Sequence, residues 1–288
     1  MDEFVYGIRK RAFVSIAGIS ILLTGCGGSS APKPSGAYPT NSIYAFMKAA
    51  QEENGNITTT VQLRDGPDVN TAGYLYLSSG EVLYSSLNRP PQQYMSFSNN
   101  LFSNSLDLSQ RVRIMSSRYL YMDYVLFSNV VSGKPEYFAS DSPDAGTTTA
   151  RAYVDFERSG QVMAGTSYVD IPTSFQITEP ATAARIPRAT PITLTWAGAD
   201  PSTTMRLGGA IVCEDTTQNS WNSISIPNTG TATLNSADFL PAASDPTKTC
   251  QTIFMLQSVK TVLLSTPFAL GSNFEGIQQR TVQFSIVP

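Results

Sequence analysis

The stretch that decides the fold class is ITTTVQLR at residues 57–64, where two kinds of side chain alternate. One set of alternate positions carries Ile, Thr, Val and Leu, and the other carries Thr, Thr, Gln and Arg. A period of two residues puts these sets on opposite faces of a β-strand, one face buried and the other more polar. Because similar patterns dominate the rest of the chain, we predict a mainly β protein.

Two short turns divide the next strand patterns. Ser78-Ser79-Gly80 separates residues 73–77 from residues 81–87, and Arg158-Ser159-Gly160 separates residues 148–157 from residues 161–169. Strand-forming runs joined by a few turn residues that include glycine are typical of β-hairpins. The sequence therefore predicts two hairpins within residues 73–169.

One segment ahead of these strands has a helical pattern. Ile43, Phe46, Met47 and Ala50 follow the spacing of one face of an α-helix, so the pattern predicts a helix over residues 42–51. Thr40, Asn41 or Ser42 can cap its beginning, and Gly55 follows its end. We expect residues 40–170 to form one domain, in which this helix packs on an antiparallel sheet or partial barrel.

A second domain is predicted over residues 171–288, where short strand patterns recur between turns. Seven such strands in a segment of this size, with Trp196 near the start, favour a β-sandwich. The stretch FQITEP at residues 175–180, leading to ITLTW at residues 192–196, resembles bacterial immunoglobulin-like or fibronectin-type-III-like modules. The resemblance covers residues 172–288, and it implies that Cys213 and Cys250 lie on neighbouring strands of one sheet.

The N-terminal 26 residues have the order of an export signal. Arg9, Lys10 and Arg11 precede an uncharged run from Ala12 to Leu23, and the motif LTGC at residues 23–26 closes it. This motif resembles the lipobox of bacterial lipoproteins. The resemblance implies removal of residues 1–25, a signal peptide, and acylation of Cys26, with palmitate as a typical acyl chain. An ordinary signal and an uncut membrane anchor remain alternatives, although the run is shorter than the about 20 residues that span a bilayer.

The lipobox resemblance also bears on location. In such lipoproteins Asp after the cysteine commonly marks retention in the inner membrane, and here Gly27 stands at that position. We therefore expect a protein of the bacterial cell envelope, lipid-anchored and in the outer membrane. Residues 26–39 are rich in Gly, Ser and Pro, which predicts a flexible tether between the anchor and the first domain.

Composition narrows the chemistry available to the protein. Besides Cys26 the chain has only Cys213 and Cys250, and an even pair in an exported chain favours a disulfide over a metal site. The chain has no histidine, which removes Ser-His-Asp and Cys-His nucleophiles and His-ligated metals. The formal net charge of −3 gives no basic footprint for nucleic acid. We expect no cofactor, no metal and no enzymatic activity.

Three groups of residues are candidate sites. The near repeats YLYL at residues 74–77 and YLYM at residues 119–122 could form a ligand platform, or the tyrosines could simply pack within the sheet. The acidic loops at residues 65–70 and 141–146 could bind calcium, although Asp followed by one residue and then Pro is a common turn composition. Asp155 and Glu157 share one face of a strand and could be an acid–base pair or ordinary solvated carboxylates. In the first of these groups, the tyrosines of the candidate ligand platform are Tyr74, Tyr76, Tyr119 and Tyr121.

These observations favour one function and leave a second open. The favoured hypothesis is a lipid-anchored envelope lipoprotein that acts as a non-enzymatic interaction or assembly component. Its partners would be the membrane, through the lipid anchor, and another envelope protein. The alternative is a lipoprotein that binds a glycan or a small apolar ligand through its tyrosine-rich first domain.

Overall fold

A computed structural model gives the fold, and it describes residues 31–68, 70–88, 120–121, 123–124, 136–141, 143, 149–159, 161–162, 167–264 and 266–288. The predicted signal peptide, Cys26 and Tyr119 lie outside these ranges. The described residues form β-strands and short 3-10 helices, which confirms the prediction of a mainly β protein. In chain order the strands are β1 (Lys33–Pro34), β2 (Tyr44–Gln51), β3 (Ile57–Arg64), β4 (Tyr74–Tyr76), β5 (Glu81–Leu87), β6 (Leu120–Tyr121), β7 (Asp123–Tyr124), β8 (Tyr137–Asp141), β9 (Arg151–Arg158), β10 (Gln161–Val162), β11 (Ser167–Asp170), β12 (Gln176–Glu179), β13 (Arg185–Pro187), β14 (Ile192–Ala197), β15 (Thr204–Cys213), β16 (Gln218–Ile226), β17 (Thr231–Leu234), β18 (Cys250–Leu264) and β19 (Ser272–Val287).

The strands are arranged in three sheets. The largest follows the order β1-β4-β3-β2-β19-β18-β15-β16, with β8 also paired to β3, β7 to β8, and β13 to β19. The second has the order β10-β9-β5-β6, with β11 also paired to β9, and the third has the order β12-β14-β17. Strands β18 and β19 pair along their whole lengths, so this long hairpin joins the two halves of the largest sheet.

The predicted helix over residues 42–51 is wrong. A 3-10 helix spans Thr40–Ser42, and the following residues form strand β2, which pairs antiparallel with β3 and parallel with β19. Ile43, Ala45, Met47 and Ala49 are all fully buried, which is a period of two rather than of 3.6. The helical pattern had counted Phe46 and Ala50 instead. Alanines are weak strand formers, so tertiary pairing and not local propensity decided this element.

Of the two predicted hairpins, the structure forms one. Strand β9 pairs with β10 across the Arg158-Ser159-Gly160 turn, and β9 also pairs with β11. At Ser78-Ser79-Gly80 the chain turns, with the Glu81 N–H donating to the Ser78 carbonyl, but β4 and β5 then enter different sheets. The turn at Ser78-Ser79-Gly80 is therefore a corner between sheets and not the end of a hairpin.

Two hydrophobic clusters form the interior. The first lies between the largest sheet and the second sheet, and the second lies between the largest sheet and the third sheet. The second cluster has the arrangement of a β-sandwich, since Leu194 on β14 and Phe284 on β19 belong to the same core. The long hairpin contributes to both clusters, because Leu264 and Phe274 lie in the first. The predicted boundary near residue 171 stays a prediction.

The predicted disulfide is confirmed. Cys213 and Cys250 are bonded to each other, with an S–S distance of 1.99 Å. Cys213 is the last residue of β15 and Cys250 the first of β18, and the two residues are directly paired in the sheet. The bond therefore joins neighbouring strands, as the module resemblance implied.

Candidate functional site

The structure separates the four tyrosines of the predicted platform. Tyr74 and Tyr76 lie on β4 in the largest sheet, whereas Tyr121 lies on β6 in the second sheet, paired to Tyr84. Tyr119 is outside the described residues, and the side chain of Tyr121 is too. Tyr76 is 40% exposed, but Tyr74 is only 9% exposed. A shared platform of all four residues stays a prediction.

Tyr74 is engaged by a buried arginine. The Arg64 Nη2 donates a hydrogen bond of 2.7 Å to the Tyr74 hydroxyl, and its guanidinium carbon lies 4.1 Å from the centroid of the Tyr74 ring. The same guanidinium lies 5.7 Å from the Phe46 ring. Cation–π contacts of this kind stabilise a desolvated cation. We infer that Tyr74 mainly supports Arg64 and packs within the fold.

A different tyrosine pair lies on the second sheet, with one of its rings exposed. Tyr153 on β9 and Tyr168 on β11 are directly paired across the strands, with ring centroids 5.7 Å apart. Tyr168 is 45% exposed, and the Arg151 guanidinium carbon lies 4.7 Å from its ring centroid. The sequence analysis did not single out either tyrosine as a candidate site residue. The alternation on residues 151–158 was visible, but the pairing that brings residue 153 to residue 168 was not.

We call the tyrosine pair and the arginine beside it the Tyr153–Tyr168 patch. One salt bridge holds the arginine in place, and a second salt bridge holds its carboxylate partner. Arg151 Nε lies 2.5 Å from Asp170 Oδ1, and Lys260 Nζ lies 3.3 Å from Asp170 Oδ2. The hydrogen bond from Arg151, followed by that from Lys260, holds the pKa of Asp170 below its ordinary value. The same carboxylate raises the pKa of Arg151, which stays charged. The patch therefore offers an aromatic face beside guanidinium N–H donors, a combination that suits a hydroxylated ring with apolar C–H faces.

The predicted pair Asp155 and Glu157 is buried. Both lie on β9, two residues apart and on the same face, and Glu157 Oε2 accepts a hydrogen bond of 3.0 Å from the Tyr84 hydroxyl. Neither is therefore an ordinary solvated carboxylate. An acid–base role for them stays a prediction.

The first acidic loop has the contacts of a turn. Asp65 Oδ1 accepts from the Gly73 N–H at 2.6 Å and its other oxygen lies 2.9 Å from Lys33 Nζ, while Asp68 accepts from the Asn70 N–H and the Thr71 hydroxyl. These contacts use the carboxylates within the loop and lower the pKa of Asp68 through hydrogen bonding. Of the second loop, at residues 141–146, only residues 141 and 143 are described. Within the described ranges, no group of three or more His, Cys, Asp or Glu residues is placed to hold a metal ion.

A polar cleft of about 350 Å³ lies where the turn after β2 meets β19. Glu53 and Arg280 are its charged residues, and Gln176, Ile177 and Thr182 also line it. Glu53 Oε1 accepts from the Thr281 N–H at 2.8 Å. Arg280 donates to the carbonyl groups of residues 175 and 279 and to the residue 174 hydroxyl, and burial lowers its pKa. The side chains of Glu53 and Arg280 therefore hold together the chain segments that line this cleft.

The second half of the predicted tether, residues 33–39, is bound to the fold. Strand β1 pairs in parallel with β4, and Arg158 on β9 donates to the carbonyls of Ser35 and Tyr38 at 2.6 and 2.7 Å. Arg158 Nε also lies 2.7 Å from Glu81 Oε1, and Glu81 accepts from the Ser35 hydroxyl. We call these contacts the Arg158 clamp. The predicted flexible tether therefore does not extend over residues 33–39.

Comparisons with known proteins add little to this description. No protein-family model matches the chain, and no curated protein matches it. A search of solved structures gives the crystal structure of the FN1-FN3 domains of chicken CNTN1, at 10% identity and a TM-score of 0.24. The match covers 89% of this chain and 69% of that chain, and similarity at this level carries no functional argument. No helix in the described part of the chain has the length and apolar character needed to cross a membrane.

Proposed function

We propose that the protein is a lipid-anchored bacterial envelope lipoprotein of the outer membrane, which acts as a non-enzymatic interaction or assembly component. The C-terminal sandwich is assigned to the immunoglobulin-like or fibronectin-type-III-like modules in this proposal. The observation that carries the proposal is the Arg158 clamp. It fixes Ser35 and Tyr38 to the fold, nine and twelve residues after Cys26 of the LTGC motif.

The clamp would set the distance between fold and membrane. From Cys26 to Lys33 the chain can span at most about 25 Å when fully extended, at 3.3–3.6 Å for each residue. Each buried CH₂ of an acyl chain contributes about 0.8 kcal/mol, so several chains on Cys26 would anchor the protein stably. A rigid β protein held this close to a bilayer is placed to contact neighbouring envelope proteins.

The anchor is tested by Cys26→Ser in the full chain, expressed in bacteria fed labelled palmitate. We expect the wild type to carry the label and to fractionate with the outer membrane, and the variant to lose both properties. Gly27→Asp is the matched control, since it keeps the cysteine and should move the labelled protein to the inner membrane. Label in the Cys26→Ser variant would contradict the proposal.

The interaction role is tested by crosslinking the protein in cells and identifying the captured proteins by mass spectrometry. We expect one dominant envelope partner in near-stoichiometric yield. Scattered neighbours at low yield would argue against an assembly component.

A second candidate function is glycan binding, and the Tyr153–Tyr168 patch favours it. Tyr168→Ala is expected to abolish binding to an array of defined oligosaccharides while leaving the melting temperature nearly unchanged, because this ring is half exposed. Tyr74→Ala is the contrasting variant, because it removes a buried ring and should lower the melting temperature by several degrees. Unchanged oligosaccharide binding in Tyr168→Ala would exclude the patch as the site.

A further inference from the structure

The long hairpin of β18 and β19 turns in a segment without charge. This segment, LLSTPFALGS at residues 263–272, runs from the end of β18 to the first residue of β19, and we call it the leucine tip. The nearest charged residues on either side are Lys260 and Glu275. Leu263 is 76% exposed and Leu270 is 79% exposed. No other large hydrophobic side chain in the described part of the chain is more than 50% exposed, so apolar exposure is concentrated here.

The rest of the leucine tip is held by the first cluster. Leu264 and Phe268 are buried there, and the Phe268 ring stacks on Phe156 with the ring centroids 5.8 Å apart. The Ala269 N–H donates a hydrogen bond of 2.9 Å to the Ile43 carbonyl. Because these contacts fix the tip, its two exposed leucines stay outside the core while their neighbours pack inside it.

The strand register places the leucine tip at the end of the largest sheet where the chain enters it. One row of neighbouring residues runs from Lys33 on β1 across β4, β3, β2 and β19 to Leu264 on β18. Strands β1, β4, β2 and β19 all run away from this end. Five steps of about 4.8 Å between strands put Lys33 about 24 Å from Leu264. Sheet twist rotates neighbouring strands but leaves this order of ends unchanged.

We propose that the leucine tip contacts the lipid bilayer that holds acylated Cys26, with Leu263 and Leu270 at the boundary between headgroups and acyl chains. This inference rests on the lipid anchor of the proposed function. The chain from Cys26 to Lys33 spans at most about 25 Å, so a bilayer at the anchor is within reach of a tip about 24 Å to the side. Transfer of exposed leucine from water into a bilayer is favourable. Since the anchor already keeps the protein at the surface, the tip only has to orient it.

Composition favours a bilayer over a protein partner as the occupant. Leucine, serine and threonine are under-represented among the residues that carry the binding energy of protein interfaces, and the leucine tip consists largely of these residues. The charged residues at this end offer no basic surface to anionic lipids. Lys33 and Asp65 are paired at 2.9 Å, and Asp68 accepts hydrogen bonds within its own loop. The contact is therefore apolar, and we expect it to be insensitive to salt.

The test places the full acylated chain in phosphatidylcholine vesicles whose brominated acyl chains quench fluorescence inside the bilayer. A fluorophore on Thr266→Cys reports on the leucine tip, where Thr266 is exposed. A fluorophore on Ile253→Cys is the matched control, because Ile253 is 43% exposed on the same strand as Leu263 and ten residues away, about 33 Å. Mass spectrometry of the purified protein counts the acyl chains on Cys26.

We expect brominated lipid to reduce the fluorescence at Thr266→Cys by at least half, at low and at high salt, and to leave that at Ile253→Cys unchanged. Replacing both exposed leucines, Leu263→Ser with Leu270→Ser, should abolish the quenching at the tip without changing acylation or the melting temperature. Ile253→Ser should leave the quenching at the tip as it is. Should the double variant unfold, Leu270→Ser alone replaces it, and a clear loss of quenching is still expected.

The outcomes separate the leucine tip from the anchor. Acylated, vesicle-bound protein with an unquenched tip would overturn this proposal, leave the anchor in place and assign the leucines to a protein partner. Quenching that persists without the leucines would also overturn it. A protein without acyl chains on Cys26 would overturn the anchor and this proposal together.

Discussion

Gly276 occupies the point where β11 passes over the long hairpin. A Cβ at this position would overlap the Asp170 carbonyl oxygen and would lie 3.1 Å from Val169 Cγ2. We expect Gly276→Ala to lower the free energy of unfolding by about 1–3 kcal/mol, because backbone atoms cannot move aside without shifting a strand. Gly66→Ala is the control, since its nearest neighbour is the Ala72 methyl group at 3.3 Å. Equal melting temperatures for the two variants would contradict this account.

Asp170 should give the stability an acid-dependent component. Its pKa is lowered in the folded state by Arg151 first and by Lys260 next, relative to an ordinary value of 3.8. A lowered folded pKa means that the contribution is present above the unfolded pKa and is lost as the pH falls through the folded value. We expect Asp170→Asn to be less stable than the wild type at pH 6, with the difference shrinking below pH 3.8. Denaturant unfolding at a series of pH values measures this, and a constant difference would exclude the linkage.

At the scale of elements, the Arg158 clamp decides whether the N-terminal segment stays on the fold. The Arg158 and Glu81 side chains are 17% and 5% exposed, so removing the cation leaves a buried carboxylate unpaired. We expect Arg158→Gln to destabilise the protein by about 3–5 kcal/mol and to expose residues 33–40 to proteolysis.

Arg151→Gln is the matched control, on the same strand. Its salt bridge with Asp170 is exposed, at 43% and 38% for the two side chains, so a loss of about 0–1 kcal/mol is expected. Limited proteolysis followed by mass spectrometry locates the first cleavages. If both variants are cut equally fast within residues 33–40, the clamp does not hold this segment.

Element type was predictable where one local signal dominated. The strict alternation in ITTTVQLR gave β3, and the Arg158-Ser159-Gly160 turn gave the hairpin of β9 and β10. For β2 the apolar residues fitted either period, and only the pairing with β3 and β19 selects a strand. The exposed tyrosine patch was not predicted for a related reason. Its geometry depends on which strands become neighbours, and local sequence does not contain that information.

At the scale of the whole molecule, the first cluster depends on residues far along the chain. Leu264, Phe268 and Phe274 belong to its core, and β2 uses β19 as one of its two neighbours. We expect residues 31–171, expressed alone, to show no cooperative thermal unfolding by circular dichroism. Co-expression with residues 172–288 should restore the transition. A cooperative transition in the isolated fragment would instead establish residue 171 as the boundary of an independent domain.

The global arrangement was only partly predictable for the same reason. The cysteine count and the predicted export signal were enough to pair Cys213 with Cys250, because only one pairing was available once Cys26 was set aside. No comparable count of residues could predict the parallel pairing of β2 with β19. Turns and periodicity describe neighbours in sequence, and this contact joins segments that are neighbours only in space.

The central position of β19 in the largest sheet also determines when the first core can form during synthesis. Gln51 and Gln278 meet in the sheet although 227 positions separate them, so at about 5–20 residues per second a ribosome needs roughly 10–45 seconds to make the second partner after the first. Throughout that interval β2 has one edge without its native neighbour. The nascent chain therefore cannot complete its first core and the pairing of β2 until residue 278 has been made. A polypeptide that must be threaded through a translocation pore before it folds would gain from this delay.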